Sequence, residues 1–305
     1  MFAFQFDHLN RHGELRQDPQ LLQQLFSGNR IKILPIYKQV IAAKEDSLAW
    51  LTKDQLTSQI GDLSRHHLIY LGKVENDSIH YCAYRMPSAT ALIELAHTVG
   101  AQTYGLRDIA KILTAQDGYL ANVASALNQW HSSHQYCGFC GAETFASSLG
   151  FVRRCSNNDC QKDHFPRTDP AIIVAISHTD ENGEEQLLLG RQASWPEKRY
   201  SLVAGFVEPG ESLEQAVKRE ALEEAGIEVT NVQYQASQPW PFPQSVMLGF
   251  SATAINQQIQ LQDQELEDAG WFSRQKINQL LKQDELLLPM EFSISRMLVE
   301  QWRNK

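Results

Sequence analysis

Residues 205–228 read GFVEPGESLEQAVKREALEEAGIE, and their arrangement decides the fold. They hold seven acids and two bases, a local net of −5 within a whole-chain charge of −9. Ser212 followed by LEQAVKREALEEA has the form of a capped helix, with Gly226 as its stop. Glu220, Glu223 and Glu224 stand at i, i+3 and i+4 and so project from one helical face. Like charges at that spacing repel, and a sequence shaped only by helix stability would interleave lysine. The ordinary reading of E-x-x-E-E is a solvated acidic face. The chemical reading is magnesium, a hard cation that takes oxygen ligands from carboxylates and substrate phosphates. Arg219 beside them can hold the cluster by bidentate pairing with a neighbouring carboxylate.

Spacing favours the chemistry. Gly205, five residues, Glu211, seven residues, Arg219-Glu220, then Glu223-Glu224 and Gly226-Ile227 form one signature. Its fixed letters would coincide by chance at on the order of 10⁻⁸ to 10⁻⁹ per window. The chain resembles the Nudix hydrolases, which cleave nucleoside diphosphates linked to another group. Ala221 departs slightly, standing where a larger aliphatic is usual. The resemblance implies that Glu220 and Glu224 bind the catalytic Mg²⁺ or Mn²⁺, with the backbone carbonyl of Ala204 as a further ligand. It also implies that Glu223 or Glu224 activates the attacking water, that Arg219 orients the cluster, and that Glu211 supports the loop–helix junction. Metal ions there would neutralise pyrophosphate charge and acidify a water for in-line attack at phosphorus.

Beyond the helix lies SQPWPFPQS, residues 237–245. Its three prolines predict a rigid extended loop rather than a regular central strand. Trp240 and Phe242 alternate with them and can offer flat apolar surface to a ring, or simply pack on the core. After a Nudix signature this string matches the SQPWPFPxS motif of the NADH pyrophosphatase subfamily, whose likeness runs from Trp130 to about Leu298. The resemblance implies that Gln238, Pro239, Trp240, Pro241, Phe242, Pro243, Gln244 and Ser245 line a dinucleotide site. Phe206 and Phe165 are candidates to stack on a base, with a core or surface role as the alternative for each; Phe165 would reach a partner subunit's site. Glu265, six residues before Trp271, would add a metal ligand, although four acids within 263–268 also suit a solvated turn. Ser295 stands where the family contacts substrate through backbone.

Four of the five cysteines, Cys137, Cys140, Cys155 and Cys160, fall within 24 residues. Two thiolate pairs supply the sulfur shell of a zinc ribbon, and Gly138 and Gly141 suit the turns. The second pair is spaced C-x₄-C where the related pyrophosphatases have C-x₂-C, so His164 is a candidate substitute ligand. A redox reading of Cys137 and Cys140 lacks a thioredoxin-like βαβ context. Cys82 reads as a small core residue.

Upstream, IKILPIY, HHLIYLGKV and SIHYCAYRM read as strands. SATALIELAHTVGAQ and GLRDIAKILTAQDGYLANVASALNQW read as helices. No chemical motif stands out there, which suits a scaffold or dimerisation role. Downstream of the ribbon, AIIVAIS, QLLLGRQ, YSLVAGFV, VTNVQYQA and SVMLGFSATAI read as strands. The expected fold class is therefore α+β: a Nudix α/β/α sandwich with a mixed sheet over 167–305, preceded by a zinc ribbon over 134–166 and an N-terminal α+β domain over 1–133.

The chain has 305 residues, 43% hydrophobic and 21% charged, enough to bury a real core. Its acidic balance, 27 basic against 36 acidic residues, disfavours a general nucleic-acid or acidic-membrane binder. No apolar run of membrane-spanning length occurs, and Asp7 interrupts the start before a signal-like region forms. With the odd cysteine count, this leads us to expect a cytoplasmic protein without a membrane partner. The expected function is metal-dependent hydrolysis of the NADH or NAD⁺ pyrophosphate to AMP and nicotinamide mononucleotide. Alternatives are removal of an NAD cap from the 5′ end of RNA by the same chemistry and, remotely, a non-catalytic nucleotide-sensing module. A homodimer is implied by resemblance only.

Overall fold

In a computed structural model, the described residues are 6–305 apart from 17, 19, 21–24, 26–29, 76–77 and 262–264. Contacts divide the chain into two units, one holding residues 3–167 with 241–244, the other residues 168–240 with 245–305.

In the first unit a six-stranded sheet runs in the order β1 (Leu9–Asn10), β4 (Leu68–Val74), β5 (His80–Arg85), β2 (Ile31–Tyr37), β3 (Val40–Ala43), β6 (Gln102–Gly105). Only β2 and β5 pair in parallel. Helices α1 (Lys53–Ile60) and α2 (Ala89–Thr98) bury Leu56, Leu92, Leu95 and Ala96 in one core with Ile33, Tyr70 and Cys82. The long helical run expected after Gly105 is broken: α3 covers Leu106–Ile109 and α4 covers Ala115–Ser133. Thr114 starts the second by accepting a hydrogen bond from the Asp117 N–H, a cap that cannot form inside a continuous helix. A small sheet of β7 (Thr144–Ser147), β8 (Val152–Cys155) and β9 (Asp163–His164) follows.

The second unit is built on β10 (Asp169–Thr179), whose run AIIVAIS is buried on both faces, as expected of a strand covered on each side. One edge of β10 pairs with β14 (Ser245–Ala254) in parallel. The other edge is shared antiparallel by β11 (Glu185–Arg191) and β12 (Val203–Phe206). The outer strands are β13 (Val229–Trp240) beside β14 and β15 (Asp268–Ser273) beside β11. Period-two alternation sends Ile172, Val174 and Ile176 to one core, against Ala216, Val217, Ala221 and Ala225 of α5 (Leu213–Ala225). Ile173 and Ala175 face the other core, with Ile277 of α6 (Arg274–Lys282) and Leu298, Val299 and Trp302 of α7 (Ile294–Arg303). The unit is thus an α/β/α sandwich on a mixed sheet.

Two expectations change. Tyr200–Leu202 lies outside β12, which begins at Val203. The segment 237–240 is strand rather than loop: Ser237, Gln238, Pro239 and Trp240 pair with Leu248, Met247, Val246 and Ser245, and only 241–244 form the turn. Proline fits there because β13 is an edge strand, where a missing outward donor costs nothing.

Candidate active site

Ser212 and Gln215 form a capping box at the start of α5, and Gly226 closes it in the left-handed conformation at φ +68°. Ala216, Val217 and Ala221 are drawn into the core, and this rotation presents Arg219, Glu220, Glu223 and Glu224 toward the end of β12. The modest side chain at 221 suits that contact, because Ala221 is fully buried.

Arg219 is the hub. Its Nε and Nη2 donate to the two Glu211 oxygens at 3.1 and 2.6 Å, a bidentate pair. Nη2 also donates to the Phe206 carbonyl at 2.8 Å, and Nη1 donates to Glu220 at 2.8 Å and Glu223 at 3.0 Å. One guanidinium thereby joins the strand end, the loop and two carboxylates of the helix. Glu211 also accepts from the Glu208 N–H at 2.8 Å. Arg219 first, and then that N–H, hold the Glu211 carboxyl below its usual range.

Glu220 and Glu224 are buried, whereas Glu223 is exposed. Burial pushes the Glu220 carboxyl above its usual range, Arg219 opposes that, and the charges of Glu223 and Glu265 add to the rise. Gly205 is the reason Glu220 fits: a Cβ there would lie 1.9 Å from the Glu220 carboxyl carbon. Ala204 precedes it on β12, paired with Ile173. Glu265 is exposed and accepts from Gln192 Nε2 at 2.9 Å, while Leu266 is buried against Gly190. Asp263, the other acid at the start of that turn, lies outside the described residues. Glu220 and Glu224 are buried carboxylates, the first given its room by Gly205, and carboxylate oxygens are donors of the type magnesium or manganese takes. Ala204, Glu220, Glu224 and Glu265 would hold such an ion.

The expected substrate residues occupy different environments. Phe206 and Phe165 have exposed rings, 58% and 68% accessible, on the second and first unit respectively. Trp240 is partly buried, its ring 6.1 Å from that of Phe292. Gln238, expected to line the site, is instead completely buried. It donates to the Phe292 carbonyl and accepts from the Ile294 N–H, both at 2.7 Å, tying β13 to the start of α7. Ser295 is buried there too, 2.9 Å from the Ser201 hydroxyl, so its side chain faces the interior. Ser245 is buried and Pro239 exposed. Pro241, Phe242, Pro243 and Gln244 belong by contact to the first unit, where Arg107 lies 4.5 Å from the Phe242 ring centroid. Sequence reasoning did not find Gln192, nor the clamping role of Gln238; a glutamine's partners leave no periodic trace.

In the ribbon the four cysteine sulfurs lie within 4.8 Å of one another. Cys137–Cys160 and Cys140–Cys155 are separated by 3.8 and 3.4 Å. Zinc–sulfur bonds of about 2.3 Å in a tetrahedron require sulfurs about 3.8 Å apart, so the set fits zinc. The C-x₄-C pair closes through a turn in which the Cys160 N–H donates to the Asn157 carbonyl at 3.0 Å. His164 Nε2 lies 3.3 Å from Cys137 Sγ, beside the cluster.

Residues 169–290 match the family model described as the NUDIX domain, and residues 132–165 match that of the NADH pyrophosphatase zinc ribbon domain. A NAD-capped RNA hydrolase NudC of Mycobacterium bovis is 36% identical over 80% of this chain and 78% of its own length. The chain is a Nudix hydrolase of the NADH pyrophosphatase subfamily. Nudix hydrolases of this subfamily pair a catalytic Mg²⁺ or Mn²⁺ with the structural zinc of the ribbon. A further relative is the NAD-capped RNA hydrolase NUDT12 of Homo sapiens, 38% identical over 61% of this chain and 41% of that protein. Nudix hydrolase 19, chloroplastic, of Arabidopsis thaliana is 36% identical over 72% of this chain and 52% of its own length. Among the described residues no helix is long and apolar enough to cross a membrane.

Proposed function

We propose that this Nudix hydrolase cleaves the pyrophosphate bond of NADH or NAD⁺ to give AMP and nicotinamide mononucleotide, and removes NAD from the 5′ end of RNA by the same chemistry. The observation that carries the reading is the Arg219 hub, which gathers Glu211, Glu220 and Glu223 beside Phe206. In this reading Glu220, Glu224, Glu265 and the Ala204 carbonyl hold the divalent ion, and Glu223 or Glu224 takes the proton of the attacking water. A bound ion neutralises diphosphate charge and makes water a nucleophile near neutral pH. Arg219 keeps the carboxylates in register, and Glu211 fixes Arg219.

The metal-binding carboxylates meet only the diphosphate, so selectivity resides in surfaces that meet the bases. Phe206, Phe165 and the ring of Trp240 are our candidates, with Pro239, Pro241, Phe242, Pro243, Gln244 and Ser245 shaping the approach and Ser295 offering backbone. A homodimer, in which Phe165 serves the partner's site, a cytoplasmic location, and boundaries near 133 and 166 belong to the same proposal.

A product assay on NADH, NAD⁺ and NAD-capped RNA, each with Mg²⁺ and with Mn²⁺, tests it. Release of AMP and the mononucleotide from the free dinucleotides, and of 5′-monophosphate RNA from the capped RNA, is expected. No cleavage of any of the three would overturn the reading.

A further inference from the structure

A cleft lies in the first unit, away from the carboxylate helix in sequence. It has a volume of about 340 Å³ and is lined by Arg16, Arg65, His66, Phe145 and Arg154, with the 147–150 turn as its floor. No carboxylate is among the described residues that line it, and Asp163 meets it only as the partner of Arg154. Phe145 and Arg154 are directly opposed across β7 and β8, so both side chains emerge from one face of the ribbon sheet. The alternate residues, Thr144 and Arg153, are buried on the other face. Arg154 is held flat by a bidentate pair with Asp163, at 2.7 and 2.8 Å. Arg65 is exposed on the short turn before β4. Arg16 stacks on Phe151, 3.4 Å from its ring centroid.

Two further details give the cleft direction. His66 Nδ1 lies 2.9 Å from the Ala146 carbonyl, a contact that nitrogen makes only as a donor, so the Nε2 edge is left for another partner. The Phe145 ring is 41% exposed and meets His66 edge-on at 5.9 Å, which keeps a ring face available. Guanidinium groups spread along an open cleft, with a flat ring between them, match a charged backbone carrying flat bases. A protein of net charge −9 repels a polyanion in general, so a local concentration of arginine is what would let one dock.

We propose that this cleft binds the phosphodiester chain of single-stranded RNA, with Phe145 stacking on a base. It rests on the reading that capped RNA is a substrate, and it assigns the ribbon face to the RNA body rather than to the cap.

The test is fluorescence anisotropy with a short, uncapped, single-stranded RNA across a salt series, on the full-length zinc-loaded protein. Wild type should bind with a clear salt dependence. Arg65→Ala/Arg154→Ala should flatten the slope of log K against log salt by about 1.4, two contacts at about 0.7 each. Phe145→Ala should weaken binding roughly 5- to 150-fold while leaving the slope unchanged. Zinc content and NADH hydrolysis should match wild type in each variant, which separates loss of the cleft from loss of the fold. Arg65→Ala alone, which leaves the Arg154–Asp163 pair of the ribbon sheet intact, provides a second variant if the double substitution unfolds. Wild-type affinity and slope in all of them would overturn the proposal, as would equal displacement of the RNA by poly-glutamate, which would mark an acidic-peptide site. Failure to cleave capped RNA, with uncapped RNA still bound through these residues, would instead count against the substrate reading alone.

Discussion

The backbone at Gly205 runs so close to the Glu220 carboxylate that a Cβ would occupy its place, 1.9 Å from the carboxyl carbon. The glycine is a space requirement here, since a side chain on the neighbouring strand would otherwise push out of line a carboxylate we propose as a metal ligand. Gly205→Ala should therefore lower kcat by up to about 10²-fold, the scale of an ångström-sized misplacement. Mn²⁺ titration of the same variant should show weakened metal binding. Full activity with normal Mn²⁺ affinity would show that Glu220 is not needed where it stands.

Glu224→Gln conserves size and removes the carboxylate we propose as a ligand or base, so kcat should fall at least on the order of 10²-fold. Glu214→Gln, on the same helix but exposed on another side, should change little. Comparable rates from the two variants would return the carboxylate face to solvent.

Gln238 predicts a stability defect of a kind its motif does not suggest. Gln238→Leu leaves the Phe292 carbonyl and the Ile294 N–H without their partner, at about 1–3 kcal/mol for each buried group. Chemical denaturation should register that loss, and the KM for NADH should rise as the Trp240 strand loosens from the start of α7. An unchanged denaturation midpoint would mean that the clamp does not contribute.

For the ribbon, one zinc per chain is expected, and strong chelation should lower the melting temperature because metal binding contributes folding free energy. Cys160→Ser should lose zinc and His164→Ala should keep it. The reverse pattern, read by metal analysis, would replace Cys160 by His164 in the ligand set.

Acid sensitivity should come from His131. Its Nε2–H donates to the Gly150 carbonyl at 2.9 Å while Nδ1 accepts from Arg153 Nη1 at 3.0 Å, so the ring is held neutral. Burial first, and then the Arg85 charge, push its pKa down to about 3 from an ordinary value of 6.5. The folded state thus binds fewer protons than the unfolded state between those values. Stability is fully present above pH 6.5 and should fall as the pH drops below it, by up to about 1.4 kcal/mol per pH unit. His131→Gln should flatten that slope in urea titrations at pH 7 and pH 5.

Much of the architecture was legible because burial writes itself into periodicity. The β10 run is continuous because both its faces are covered, and α5 declared its ends through Ser212 and Gly226. What stayed hidden depended on partners distant in sequence. Thr114 broke a helix that the apolar pattern alone would have continued. The prolines of 237–245 suggested a loop because sequence does not say which strand lies at a sheet's edge. The gathering of Glu211, Glu220 and Glu223 on Arg219 was readable from spacing, whereas the Gln192–Glu265 contact spans 73 residues and has no local signature.

Pro239 bears on how copies of this chain can assemble. Beside β14, strand β13 presents its other backbone side outward, the geometry through which sheets of separate molecules merge. The ring at Pro239 removes a hydrogen on that side, so a foreign strand laid along it would meet a gap in the ladder. Continuation of the sheet from one copy into another through this part of β13 is thereby disfavoured.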